Sequence, residues 1–395
     1  MKRFSALFLA VVAATCLLNR AFAADDYAPL VQAETQAIIR INLEKIDGEI
    51  VSNQITKVSK AAVDCFVNNQ EKAEEAKTAL PLIAAIAAQQ VDSFISPLKD
   101  AGATVAYVVI NQSDDPDVTL YPYLAFPTAG MTKEQIEDVR AALTKINKNT
   151  NNALKYRFAR HGFIFVPFFG PDVEDAEAKT YVKERFSTLE SVDASKFAAG
   201  FAIANKDSLL SGASIAASPA TVAAQTEQAL AQLEEIGEDA APLKEFLGKV
   251  ITIQNEFAKL VVGNGWNADL QGLEIVSKIK TKSAADAQKY IEKTNNLRSE
   301  LDGFIGELFN KATENKNVEL TEEQVQGVAA VINDIFDIIF NAMKADGDVV
   351  EFRFDEDYVN ANEDLFKNLA KKVKNLIPED AKINIDVDDF EVDGE

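Results

Sequence analysis

The sequence predicts an α+β fold with largely antiparallel sheets. It is expected as two tandem, structurally related halves, each a sheet covered by helices on one face. Three observations lead there. Short runs of Val and Ile alternate with polar residues at the strand period, and helical stretches with recognisable starts lie between them. Several strands are joined by short polar turns instead of alternating one-for-one with helices, which disfavours a doubly wound parallel sheet. The order of elements also repeats, with an offset of roughly 150 to 160 residues.

The chain opens with a secretory leader. Lys2 and Arg3 form a charged start, Ser5 to Leu18 is largely apolar, and Ala21-Phe22-Ala23 before Ala24 is an A-x-A cleavage site. Residues 1–23 are therefore expected to be removed, and the mature protein to be periplasmic or extracellular. Ala13-Ala14-Thr15-Cys16 offers lipoprotein processing as the alternative, against which Thr15 counts. No later contiguous run reaches the roughly 18 apolar residues of a membrane span, so none is expected after cleavage.

Strands are expected at Gln36 to Leu43, Thr104 to Ile110, Thr119 to Phe126, Lys155 to Phe168 (as a hairpin), Phe197 to Ala204, Lys259 to Val262, Leu270 to Thr281, Val349 to Phe354 and Ile383 to Val392. Thr132 with Gln135, Ser283 with Asp286 and Thr321 with Gln324 read as capping pairs, and Ser218-Pro219 as an N-cap before a first-turn proline. From about Thr321 to Met343, Val325, Val328, Ile332, Ile335, Phe336, Ile339, Phe340 and Met343 recur at helical steps and give one apolar face. The strand at 36, two helical stretches, strands near 104 and 119 and a helix from 132 form one series. The strand at 197, helices near 219–236 and 242–257, strands near 259 and 271 and a helix from 284 form the other. Residues 24–192 and 193–395 are thus read as the two halves, with the helix at 321–343 inserted in the second.

Composition limits the chemistry. The formal charge is −22, and loss of Lys2, Arg3 and Arg20 with the leader makes it three units more negative. Such a surface repels phosphate backbones, so nucleic acid is excluded as a partner. Lys367, Lys371, Lys372 and Lys374 follow Glu363 and Asp364 on one expected helix, an order that matches the helix dipole. Cys65 loses its only possible partner with Cys16, so no disulfide holds the fold, and its neighbours Val63, Phe66 and Val67 mark it as a small hydrophobe.

With His161 the single histidine, the usual zinc and copper sites have no ligand set. His161-Gly162 falls between Tyr156-Phe158 and Phe163-Phe165, as the tight turn of a hairpin. Ser96-Pro97-Leu98-Lys99 fits S-x-x-K, but no Lys-Thr-Gly strand accompanies it, and Ser96 reads as a turn residue. Gly263 to Ala268 fits G-x-G-x-x-A, yet a strand follows where a pyrophosphate site needs a helix, leaving a glycine-rich hairpin loop and no cofactor.

Carboxylates remain. The calcium candidates are Asp114, Asp115 and Asp117, the turn Asp346 and Asp348, and the tail Asp386, Asp388, Asp389, Glu391 and Asp393. Solvated loops are the competing reading. Tyr107, Tyr121, Tyr123 and Phe126 are expected to fill a sheet core, or else to line a cleft between the halves.

One resemblance adds to this. The segment Leu260 to Tyr290, with glycines before Trp266, a strand through Leu273 and Ile275 and a helix opening at Ser283-Ala284-Ala285-Asp286-Ala287, resembles exported bacterial α+β proteins of unknown function. So does the start, where the strand Ala37 to Leu43 runs into Ile46-Asp47 and a helix. The resemblance implies export and repeated sheet-plus-helix units, and supplies no catalytic residue. The expectation is a non-enzymatic exported protein that binds a partner or serves the envelope. The alternatives are a hydrolase using carboxylates alone and a carrier with an apolar ligand between the halves.

Overall fold

The structure, a computed structural model, describes residues 27–66, 70–113, 120–149, 156–169, 173–187, 194–215, 241–269, 273–314 and 322–376. The expected leader, the helix at 219–236, the boundary near 193 and the strand at 383–392 lie outside them. The fold is α+β, as expected. Its strands are β1 (Thr35–Asn42), β2 (Val105–Asn111), β3 (Tyr123–Pro127), β4 (Phe158–Arg160), β5 (Phe163–Pro167), β6 (Leu210–Ser214), β7 (Val261–Asp269), β8 (Glu274–Thr281), β9 (Met343–Asp346) and β10 (Val349–Phe354). They form one sheet in the order β4-β5-β3-β2-β1-β6-β7-β8-β10-β9, and every adjacent pair is antiparallel. Counted outward from β1·β6, the strands run 1-2-3-5-4 on one side and 6-7-8-10-9 on the other. Through the middle of the sheet, Val166, Leu124, Val108, Ile39, Gly212, Trp266, Ser277, Phe352 and Met343 are successive cross-strand partners.

The described helices are α1 (Gly48–Phe66), α2 (Gln70–Asp100), α3 (Lys133–Asn149), α4 (Asp175–Ser187), α5 (Ser195–Phe201), α6 (Ala241–Leu260), α7 (Ala284–Glu314), α8 (Glu322–Asn341), α9 (Glu356–Ala361) and α10 (Glu363–Leu376). In the first half helices cover both faces of the sheet, not one. Ile41, Ala106, Leu124, Phe126, Ile164 and Val166 face α3 and the end of α2 through Leu98, Val139, Leu143 and Ile146. On the other face Ile38, Tyr107, Val109, Tyr123 and Phe165 pack with Tyr27 and Leu30, with Phe186 of α4 and with Phe197 and Phe201 of α5. The reason lies in strand composition. β5 is buried at every position, which a sheet open on one side does not allow.

In the second half α7 lies on the same face as α3, through Ala287, Tyr290 and Ile291 against Ile279 and Val350. The opposite face of β8 and β10 is charged. Lys278 pairs with Glu351, Lys280 with Asp348, and Arg353 with Glu274, Glu351 and Asp355. These pairs are all partly solvated, so each contributes at most about 1 kcal/mol.

Several expected elements are corrected. The stretch expected as a strand from Phe197 to Ala204 is the helix α5 as far as Phe201, with Phe197 and Phe201 four apart and both buried. The strand is β6, whose small residues Ser211, Gly212, Ala213 and Ser214 gave no strand signal. The glycine-rich hairpin loop is the interior of β7. Here a Cβ on Gly263 would come 2.9 Å from the Gly200 backbone nitrogen, so glycine is what lets α5 lie on the strand. β7 ends at Asp269, and Leu273, just before β8, has φ 49°. α8 ends at Asn341, and Met343 opens β9 of a second hairpin with Gly347 at φ 56°. The Phe158 to Pro167 hairpin, in contrast, is as expected, with His161 and Gly162 at φ 50° and 81°.

Candidate functional site

The candidate calcium ligands Asp114, Asp115, Asp117, Asp386, Asp388, Asp389, Glu391 and Asp393 lie outside the described residues. Asp348 does not wait for a metal. Lys280 donates to its carboxylate, and that hydrogen bond is the main cause that holds its pKa below the ordinary range. Among the described residues no three His, Cys, Asp or Glu side chains gather as a metal set.

Other chemical candidates occupy structural positions. Arg160 donates from Nε to His161 Nε2 at 3.0 Å and from Nη2 to the Ser187 carbonyl at 2.5 Å, tying the hairpin turn to α4. Ser96 stands inside α2 and not in a turn, and Lys99 of the same helix donates to the Ile46 carbonyl at 3.3 Å. Cys65 belongs to α1. Trp266, inside the G-x-G-x-x-A stretch, covers Gly212 on the neighbouring strand, where a Cβ would come 2.0 Å from the indole ring.

The aromatic residues fill cores. Tyr107, Tyr123 and Phe126 are buried, the first two on one face of the sheet and the third on the other. Tyr121 remains at the rim, edge-on to Phe169 and Tyr181, with its hydroxyl 3.3 Å from Glu177. Where the halves meet, Tyr27 stacks on Phe201 with centroids 3.6 Å apart on one face, and Trp266 lies over Gly212 on the other. Beside this join Arg185 of α4 donates to Glu34 at 2.9 Å. Burial is the largest single influence on Glu34 and raises its pKa. The Arg185 hydrogen bond and charge, with a backbone hydrogen bond, outweigh it, so the net shift is downward. Thr35 takes the Gln32 N–H at 2.9 Å and donates to Asn111 at 3.0 Å. Gln32 itself is buried, with both amide atoms lacking a hydrogen-bond partner.

Among the described residues, most of the exposed large hydrophobic side chains lie on α1 and α2. α2 has 31 residues, so its axis is about 46 Å long. Its C-terminal part is anchored by Phe94, Ile95 and Leu98 in the core against α3. Gly48 at the start of α1 donates its N–H to Asp92 of α2 at 3.0 Å, so α1 runs back antiparallel beside it. Leu80 and Ala84 are buried, whereas Leu82 is 64% exposed, Ile83 43% and Ile86 40%; Val58 of α1 is 50% exposed. The segment Ala76–Asp100 is long and apolar enough to cross a membrane, yet only 11% of its apolar window is buried. Counting contiguous apolar residues missed it, because alanines with uncharged Gln89 and Gln90 carry the run. A count of charges finds it: no charged residue occurs from Thr78 to Val91.

Comparison with protein-family models, with curated proteins and with solved structures finds no match.

Proposed function

We propose that this chain is an exported, non-enzymatic protein that acts by surface binding at the cell envelope or outside the cell, and that its sheet is two copies of one α+β unit. The observation that carries the reading is the repeated strand order on the two sides of β1·β6. Duplication joins two units through their first strands, and the join is then backbone ladder with small or stacked groups on each face. Such a seam leaves binding to the outer surfaces. Among the described residues, α7 and α8 follow β8 where α3 alone follows β3, and α6 alone lies between β6 and β7 where α1 and α2 lie between β1 and β2. The leader, and the resemblance of the 260–290 segment to exported bacterial proteins, favour the same compartment.

Intact mass and N-terminal sequencing of protein recovered from the host envelope and medium test export; a chain starting at Ala24 is expected. A hydrolase screen with the purified mature chain on a glycan panel is expected to show no turnover. Turnover abolished by changing a specific pair of carboxylates would replace the binding reading with the hydrolase.

A further inference from the structure

Deepening the envelope reading, on which it rests, we infer that the α1–α2 hairpin docks on the zwitterionic surface of a lipid bilayer, with Leu82, Ile83 and Ile86 entering the boundary between headgroups and acyl chains. A helix of membrane-like composition usually has one of two ordinary explanations. It is a core helix, or it is an export leader. α2 is neither, since it begins at Gln70 and most of its apolar window is accessible.

The form of docking follows from the charges. Glu71, Lys72, Glu74, Glu75 and Lys77 precede the apolar stretch at the N-terminal end of α2, and the sequence of α1 carries Lys57 and Lys60. Pushing the hairpin through a bilayer would carry these charges into hydrocarbon, so it lies on the surface and does not span. A helix seam made for a second protein helix flanks its apolar stripe with charged residues that set partner and register. From Thr78 to Val91 there is none on any side of α2, a length of about 20 Å. Lipid, which is indifferent to register, is the partner that fits. The strongly acidic chain is repelled by anionic headgroups, and this selects a zwitterionic surface.

The test is flotation of the full mature chain with phosphatidylcholine vesicles on a density gradient. The wild type is expected to float, to do so undiminished at high salt, and to float less as anionic lipid is added. Leu82→Glu with Ile86→Glu should lower the bound fraction at least about tenfold, while Ile335→Glu, at a comparably exposed isoleucine on α8, leaves it unchanged. Should the double variant fail to fold, an environment-sensitive dye on Leu82→Cys in a Cys65→Ala chain gives the same answer by a blue shift on adding vesicles. The inference is overturned if the wild type stays at the bottom of the gradient, or floats equally after the double substitution. A dye that remains in water would also overturn it, as would a wild-type oligomer that the double variant dissolves without any vesicle binding. Purified protein is used throughout, so a failure here is distinct from a failure of export, which the N-terminal sequence reports.

Discussion

At the scale of single residues, the join between the halves depends on a glycine. Gly212 and Trp266 are cross-strand partners, and the indole occupies the place of the missing side chain. Gly212→Val should destabilise by about 2–4 kcal/mol, because backbone and ring must both move. Urea unfolding followed by the emission of Trp266, the single tryptophan, measures this directly. Gln32 predicts the opposite sign. Both of its amide atoms are buried without partners, so Gln32→Met removes an unmet desolvation cost and should be neutral or stabilising by up to about 2 kcal/mol.

Tyr290 supplies a pH effect. Burial pushes its hydroxyl well above the ordinary tyrosine range, and its ring lies against Phe257 at 4.3 Å. A raised folded pKa gives stability that is complete below the unfolded value of about 10 and is lost as pH rises toward the folded one. Stability should therefore fall above about pH 10. Tyr290→Phe should flatten that fall, as read from denaturation midpoints across the alkaline range.

Among elements, those with local signals were legible in the sequence. Thr132 takes the Gln135 N–H at 3.2 Å and gives its own N–H to Gln135 at 2.9 Å, a reciprocal box at the start of α3. At the start of α7 the Ser283 hydroxyl takes the Asp286 N–H at 3.2 Å and donates to the Asp286 carboxylate at 2.8 Å. Thr132→Ala should cost about 1 kcal/mol in thermal or urea unfolding, whereas Thr132→Ser should cost little. The hairpin at His161-Gly162 was legible for the same reason, since its turn demands particular residues.

What the sequence concealed was set by tertiary contact. β6 is built of Ser, Gly and Ala because α5 and Trp266 press on it and on β7, so its strand character comes from neighbours and not from its own side chains. α5 was mistaken for a strand because a short buried apolar run has no decisive period. The candidate surface on α2 was hidden by its alanines, which weaken an apolar count while leaving no charge.

Across the whole molecule, the strand order was beyond sequence reasoning, since pairing across β1·β6 links residues some 170 apart and has no local signal. The proposed repetition of elements was read from the order of local patterns, and the strand order 1-2-3-5-4 beside 6-7-8-10-9 is the observation that supports the proposal. A single sheet with β1 and β6 at its centre has its most protected backbone there. Its outer edges are β4 and β9, of three and four residues, too short to template further strands. Native-state hydrogen exchange read by mass spectrometry tests this most directly. Peptides covering β1 and β6 should exchange slowest and together, with β4 and β9 fastest. Fast exchange in β6, or separate opening of residues 35–42 and 210–214, would mean that the halves do not share one sheet, and would contradict the account.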